Sequence, residues 1–234
     1  MKNSLPHTVL PDGSVLKRTD QAPLDASRLA IVHNGCYFHL TTMRDPAVLA
    51  HQPTWFYLPK LQPGDLDGFE TVILADRMHP DLVRAHADEF LEVAQRGNTL
   101  VVLGINEAET WVPGLIHMDR PTNFWWWSVG EDPGIRLDSP THPAWKYLTS
   151  KATIWHHHGA YLSESAGAQT LVRLDEKNAA GNWEEVGAIV LEDSSSTPGR
   201  IITTSLDPFF HHGSNFMPGS TRFLYSLLRW VDHS

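Results

Sequence analysis

Fourteen histidines and a single cysteine dominate the chemical inventory of this 234-residue chain. Seven of the histidines form three groups: His33 with His39, the run His156-His157-His158, and the pair His211-His212. In an extended segment alternate side chains share a face, so His156 and His158 should point together and His157 away from them. Two imidazoles on one face can hold a divalent ion once a third ligand joins them. His211, His212, Asp76, His79 and Asp207 are the candidates for that place, and no spacing singles one out. The competing expectation is a set of hydrogen-bonded histidines lining a polar cleft, with no cofactor and no metal. If an ion does bind, His156, His158 and His212 are the ligands expected from sequence. Cys36 follows an apolar run and has histidines nearby, but a lone cysteine is more often a small buried hydrophobe, and a nucleophile needs a lowered pKa.

These side chains need a scaffold, and the apolar runs outline one. The stretch Asn98 to Thr110 reads as a central strand ending at Leu103 and Gly104, then a polar turn carrying Asn106 and Glu107. In an open parallel sheet, ligands gather at the carboxyl ends of the strands, so this turn should face the site. Arg28 to His33, Trp55 to Leu58 and Phe69 to Ala75 read as further buried strands, the last leading into Asp76 and His79. Asp45-Pro46 marks a helix start. Pro80 to Arg96 has helical spacing with Gly97 as its stop.

The second half is less regular. Ala108 to Ala144 carries five prolines and the run Phe124-Trp-Trp-Trp127, which we expect to fill the underside of an insertion rather than to bind a ligand. Ala152 to Trp155, Gln169 to Leu174, Val186 to Leu191 and Arg200 to Ser205 read as strands, the last three as antiparallel additions. Ser220 to Asp232 reads as an apolar-striped helix capped by Ser220. The expected fold is α/β: a flavodoxin-like, three-layer, doubly wound sheet, mostly parallel, with antiparallel strands in the C-terminal half. Residues 1–27 are expected to form an irregular arm, with a short strand at Ser14 to Leu16, and residues 28–234 a single domain.

Composition bounds the partners. A formal charge of −9, with 18 Lys and Arg against 27 Asp and Glu, argues against nucleic acid and anionic membrane surfaces. No apolar run approaches the roughly 20 residues that span a bilayer, and the first residues lack a signal-peptide core, so a cytoplasmic location is expected. One cysteine excludes an intrachain disulfide framework. The turn Val102 to Glu107 matches neither the Walker nor the dinucleotide fingerprint.

The order of these elements resembles the class I glutamine amidotransferase-like superfamily, and within it the ThuA-like (trehalose-utilisation) and related branches. The matching residues are Leu29 to His33, Phe69 to Asp76, the Val101 to Glu107 turn, His142-Pro143 before Trp155 to Gly159, and Gly199 to Asp207. Active amidotransferases carry a Gly-x-Cys-x-Gly elbow and a late His-Pro-Glu motif. The resemblance therefore places Asn106 at the nucleophile, Asp207 at the base and Phe209 at the carboxylate that orients the base. With no thiolate and no imidazole in those places, glutamine hydrolysis is not expected.

The leading expectation is a diverged amidotransferase-like protein that binds a small polar ligand at the strand ends, sugar-derived if the ThuA-like resemblance extends to function. Asn106, Asp76, His79, His33 and His211 are the expected ligand-binding residues. The alternative is a hydrolase or isomerase in which Glu107, Asp207 and His157 act as acid and base, with or without a divalent metal. A third reading is a protein-interaction module, and a homodimer is compatible with all three.

Overall fold

The computed structural model describes residues 28–122 and 124–232, together with the backbone of Thr8–Val9 and Val15–Leu16. These two short strands, β1 (Thr8–Val9) and β2 (Val15–Leu16), pair antiparallel; the rest of the expected arm lies outside the described residues.

The main sheet is assembled from β3 (Leu29–His33), β4 (Thr54–Tyr57), β5 (Thr71–Leu74), β6 (Thr99–Val102) and β7 (Leu115–Met118) in the first half of the chain. The second half adds β8 (Ile135–Leu137), β9 (Ala160–Ser163), β10 (Ala168–Lys177), β11 (Trp183–Asp193) and β12 (Arg200–Thr204). Five strands run parallel in the order β4-β3-β5-β6-β12, so β12, expected as an antiparallel addition, is instead paired parallel to β6 and antiparallel only to β11. Numbered among themselves the five are 2-1-3-4-5, the doubly wound flavodoxin-like order. Beyond β12 the sheet continues antiparallel through β11, β10 and β8, while β9 and β7 branch from β11.

The helices are α1 (Tyr37–Thr42), α2 (Pro46–Leu49), α3 (Pro80–Ala85), α4 (Ala87–Gln95), α5 (Trp126–Val129), α6 (Ser150–Thr153), α7 (Pro208–Gly213) and α8 (Pro218–Asp232). The continuous apolar runs of the parallel strands are explained by burial on both faces. Leu29 and Ile31 of β3, Ile73 of β5 and Val101 of β6 belong to one core, completed by Phe223, Leu224, Leu227, Leu228 and Val231 of α8. Ala30, Val32, Val72, Leu74, Leu100 and Val102 point the other way, into a core with Val83, Phe90, Val93 and Ala94 of α3 and α4. At roughly 1.5–3 kcal/mol for each fully buried large apolar side chain, these two cores are the main force holding the layers together.

Several elements differ from the sequence reading. The expected helix from Pro80 to Arg96 divides at His86, whose backbone leaves helical geometry (φ −111°, ψ 13°) while its Nδ1 lies 2.8 Å from Glu89 Oε2. Ala152 to Trp155 is not a strand: Ala152 and Thr153 close α6, and Trp155 packs against Phe223 of α8. Ser220 lies inside α8, which starts at Pro218, and its hydroxyl donates to Met217 O. The expected cap at Asp45 is present, its Oδ1 accepting from Ala47 N at 2.7 Å and Val48 N at 3.2 Å. The proline-rich stretch Ala108 to Ala144 contains β7, α5 and β8, elements too short for periodicity to reveal. Among the described residues no helix is long and apolar enough to cross a membrane.

Candidate functional site

The parallel strands β3, β5, β6 and β12 deliver His33, Asp76, Asn106 and Asp207 to the same edge of the sheet, all four buried. Asp207 is the point of convergence. It lies just beyond the end of β12 and precedes Pro208, whose fixed φ starts α7, so His211 stands one helical turn away on the same face. His211 Nε2 lies 3.3 Å from Asp207 Oδ1, His156 Nε2 3.6 Å from the same oxygen, and His158 Nε2 3.2 Å from Oδ2. The expected alternation therefore holds: His156 and His158 point to one place. His157 turns away and bonds Gly159 O through Nδ1 at 3.1 Å.

Arg77 shares Oδ2 with His158, its Nε at 2.8 Å and Nη2 at 2.7 Å from that oxygen. Its own backbone is left-handed (φ 54°), and its guanidinium lies over the Phe210 ring at 3.9 Å. Asp76 supports the arrangement from beneath. Its Oδ2 accepts from Phe209 N at 2.6 Å and its Oδ1 from Phe210 N at 3.1 Å, so the end of β5 caps the first turn of α7. His39 adds to this layer: Nδ1 accepts from Asn34 N, which leaves Nε2–H to donate to Asp76 O at 2.9 Å.

Burial alone would raise the Asp207 carboxyl, but its contacts with His156, His158 and His211 overcome that and hold it below the usual carboxylate range. Burial, and then the charge of Asp207, push Asp76 well above that range against the two N–H bonds it accepts. Burial lowers the pKa of His156 against the opposing contact with Asp207, which favours the neutral imidazole, the form that ligates metals.

His156, His158 and Asp207 each present one donor atom within 4.8 Å of the others. In a tetrahedral site with ligand bonds of about 2.1 Å, neighbouring donors are about 3.4 Å apart. His156 Nε2 lies near that distance from Asp207 Oδ1, at 3.6 Å, while His158 Nε2 faces the other oxygen, Oδ2, at 3.2 Å. Asp207 Oδ1, His158 Nε2 and both ring nitrogens of His211 are buried without a hydrogen-bond partner among the described residues. Buried polar atoms are rarely left in that condition unless a water or an ion completes them.

A cavity of about 990 Å³ opens over this cluster, with His156, His158, His211 and Arg77 in its lining. Phe124, Trp125 and Trp127 form another part of it and are 51%, 62% and 63% exposed. The tryptophan run is therefore a wall of the cavity rather than an underside plug. A second cavity, of about 520 Å³, meets the first at Phe124 and His158 and is lined in part by Glu107 and His157.

The other sequence candidates are placed elsewhere. Asn106 is 1% exposed, and its side chain is spent on backbone: Oδ1 accepts from Met78 N at 2.9 Å and Nδ2 donates to Ala75 O at 2.7 Å. The turn around it is tight, since Ile105 and Glu107 both have positive φ (60° and 46°). A Cβ on Gly104 would lie 2.7 Å from Leu206 O, so this position requires glycine for the close approach of β6 to the end of β12. Glu107 points outward to an ion pair with Arg84. His33 packs against Trp55 and Tyr57, away from the Asp207 cluster, and His79 is exposed. His212 faces the other side of α7 and contacts Asp45 and Thr221, so His211, not His212, joins the cluster. Burial raises the Cys36 thiol, the opposite of what a nucleophile needs. Sequence reasoning missed Arg77, whose one signal was its place directly after Asp76 at a strand end, and it named His39 only as a companion of His33.

The fold and site together define an α/β doubly wound protein with a histidine–aspartate cluster at its strand ends. No protein-family model matches the chain, and no curated protein matches it.

Proposed function

We propose that the chain is a metal-dependent enzyme of the hydrolase or isomerase class, acting on a small molecule held in the 990 Å³ cavity. The observation that carries this reading is the convergence of His156, His158 and Asp207, one donor atom of each within 4.8 Å of the others, with Asp207 Oδ1 and His158 Nε2 buried and without a hydrogen-bond partner among the described residues. Three protein ligands leave a coordination position open, the arrangement of catalytic rather than structural sites. A zinc or iron ion there would act as a Lewis acid on a substrate oxygen or on water.

The chain's own groups have distinct parts in this reading. Arg77 holds one oxygen of Asp207 and so fixes the direction of the other. His211, on the cavity lining beside Asp207, is the acid–base group. Asp76 and His39 set the position of the α7 turn that carries both. Glu107, paired with Arg84 at the surface, has no part in the chemistry, and His157 turns away from the cluster to Gly159 O.

The 2-1-3-4-5 strand order and the strained turn at Asn106 support descent from the class I glutamine amidotransferase-like superfamily. In that descent the site has moved from the elbow, where Asn106 is now a structural staple, to the end of β12. The test is metal content: zinc or iron titrated into the metal-free chain should bind and should fail to bind when His156 and His158 are replaced.

A further inference from the structure

The residues over the histidine cluster define a substrate class, and this inference rests on the enzymatic reading above. Phe124, Trp125, Trp126, Trp127, Trp155 and Phe216 give the cavity extended aromatic walls. Its charged lining residues are Arg77, Lys151 and Arg222, and no Asp or Glu lines it among the described residues. Lys151 and Arg222 are exposed and have no carboxylate partner among the described residues. Arg77 is bound to Asp207 but keeps a third of its side chain exposed. A cationic rim in a chain of net charge −9 is a local reversal, and such a rim raises the local concentration of anions.

The lining also disfavours a plain sugar. Carbohydrate hydroxyls are matched by paired acceptors and donors such as Asp, Asn, Glu and Gln, and none of these lines the cavity among the described residues. Aromatic walls with cations at the rim suit a different molecule: an apolar body stacked on the tryptophans and an anionic end held by Lys151 and Arg222. We infer that the cavity takes an amphipathic carboxylate, an aromatic or branched apolar group bearing an acid, and presents the rest of that molecule to the cluster at Asp207.

The test is calorimetric titration of the full chain with 4-phenylbutanoate, 4-phenylbutanamide, 4-phenylbutylamine and glucuronate, alongside a zinc titration of the same preparation. The carboxylate should bind at least about tenfold more tightly than the neutral amide, the amine and the polar sugar acid. The Lys151→Gln, Arg222→Gln double variant, altered only at exposed positions, should lose about tenfold for the carboxylate and little for the amide. The inference is overturned if the amide or amine binds as well as the carboxylate, if glucuronate binds best, or if the double variant is unchanged. Zinc binding with no carboxylate binding would overturn this inference alone. Carboxylate binding without zinc binding would support it and overturn the metal reading instead.

Discussion

Asp207 Oδ2 lies 2.7 Å from Arg77 Nη2, while the other oxygen of the same carboxylate faces His211 at 3.3 Å and His156 at 3.6 Å. A fully buried carboxylate is thus neutralised on one side and left as an acceptor on the other. Arg77→Met removes the neutralising partner and leaves a buried charge, at a cost of about 2–3 kcal/mol to stability. Urea denaturation measures it. Arg77→Lys should recover only part, because an ammonium cannot place two donors on one oxygen as this guanidinium does.

Asn106 is a staple between two strand ends rather than a reactive group. Asn106→Ala leaves Met78 N and Ala75 O unpaired in the interior and should cost about 2–4 kcal/mol. Asn106→Cys should produce no ammonia from glutamine, since Asp207 and Phe209 occupy the places of the base and its partner in the resemblance. Measurable glutaminase activity in that variant would show that the triad is closer to intact than the residues indicate.

The two neighbouring histidines of α7 should separate cleanly. His212→Ala loses the contacts with Asp45 and Thr221, so it should lower stability and leave metal binding unchanged. His156→Ala should weaken metal binding by about 100-fold or more, beyond the 10–100-fold typical of groups that only support a ligand. Calorimetry with zinc on each variant separates the two outcomes.

Acid should destabilise the fold through His33 and His39, which make no contact with Asp207. Burial lowers His33 to about 4, and burial together with the charge of His33 lowers His39 to about 3, against 6.5 for the free side chain. The unfolded chain therefore binds protons below pH 6.5 that the folded chain refuses, so stability is present above that pH and lost as pH falls. Between pH 6.5 and 5 each residue should contribute a loss of about 1–1.5 kcal/mol. Urea unfolding across that range should show the slope, and His39→Gln should reduce it; a slope unchanged in that variant would exclude His39 as its source.

Much of the architecture could be read from the chain, because the parallel strands are buried on both faces and appear as unbroken apolar runs such as Leu29 to His33. The alternation that pairs His156 with His158 was equally accessible, since it follows from backbone geometry. What could not be read was the third ligand. Asp207 and His211 meet because Pro208 begins a helix just after β12, and the sequence reading placed no helix there to bring residues four apart onto one face. Asn106 was misjudged for a related reason: its position in the turn was right, but the two backbone groups it satisfies come from a different strand end. The tryptophan run was expected to be covered, and only the tertiary fold shows it as a cavity wall.

The most direct test of the account is the metal content of the chain after reconstitution with zinc or iron and removal of excess ion, compared with the His156→Ala, His158→Ala double variant. Circular dichroism on both samples checks that the fold is retained. The account predicts one ion per chain in the natural sequence and none in the folded double variant. No stoichiometric ion in the natural sequence, or equal occupancy in both, would contradict it.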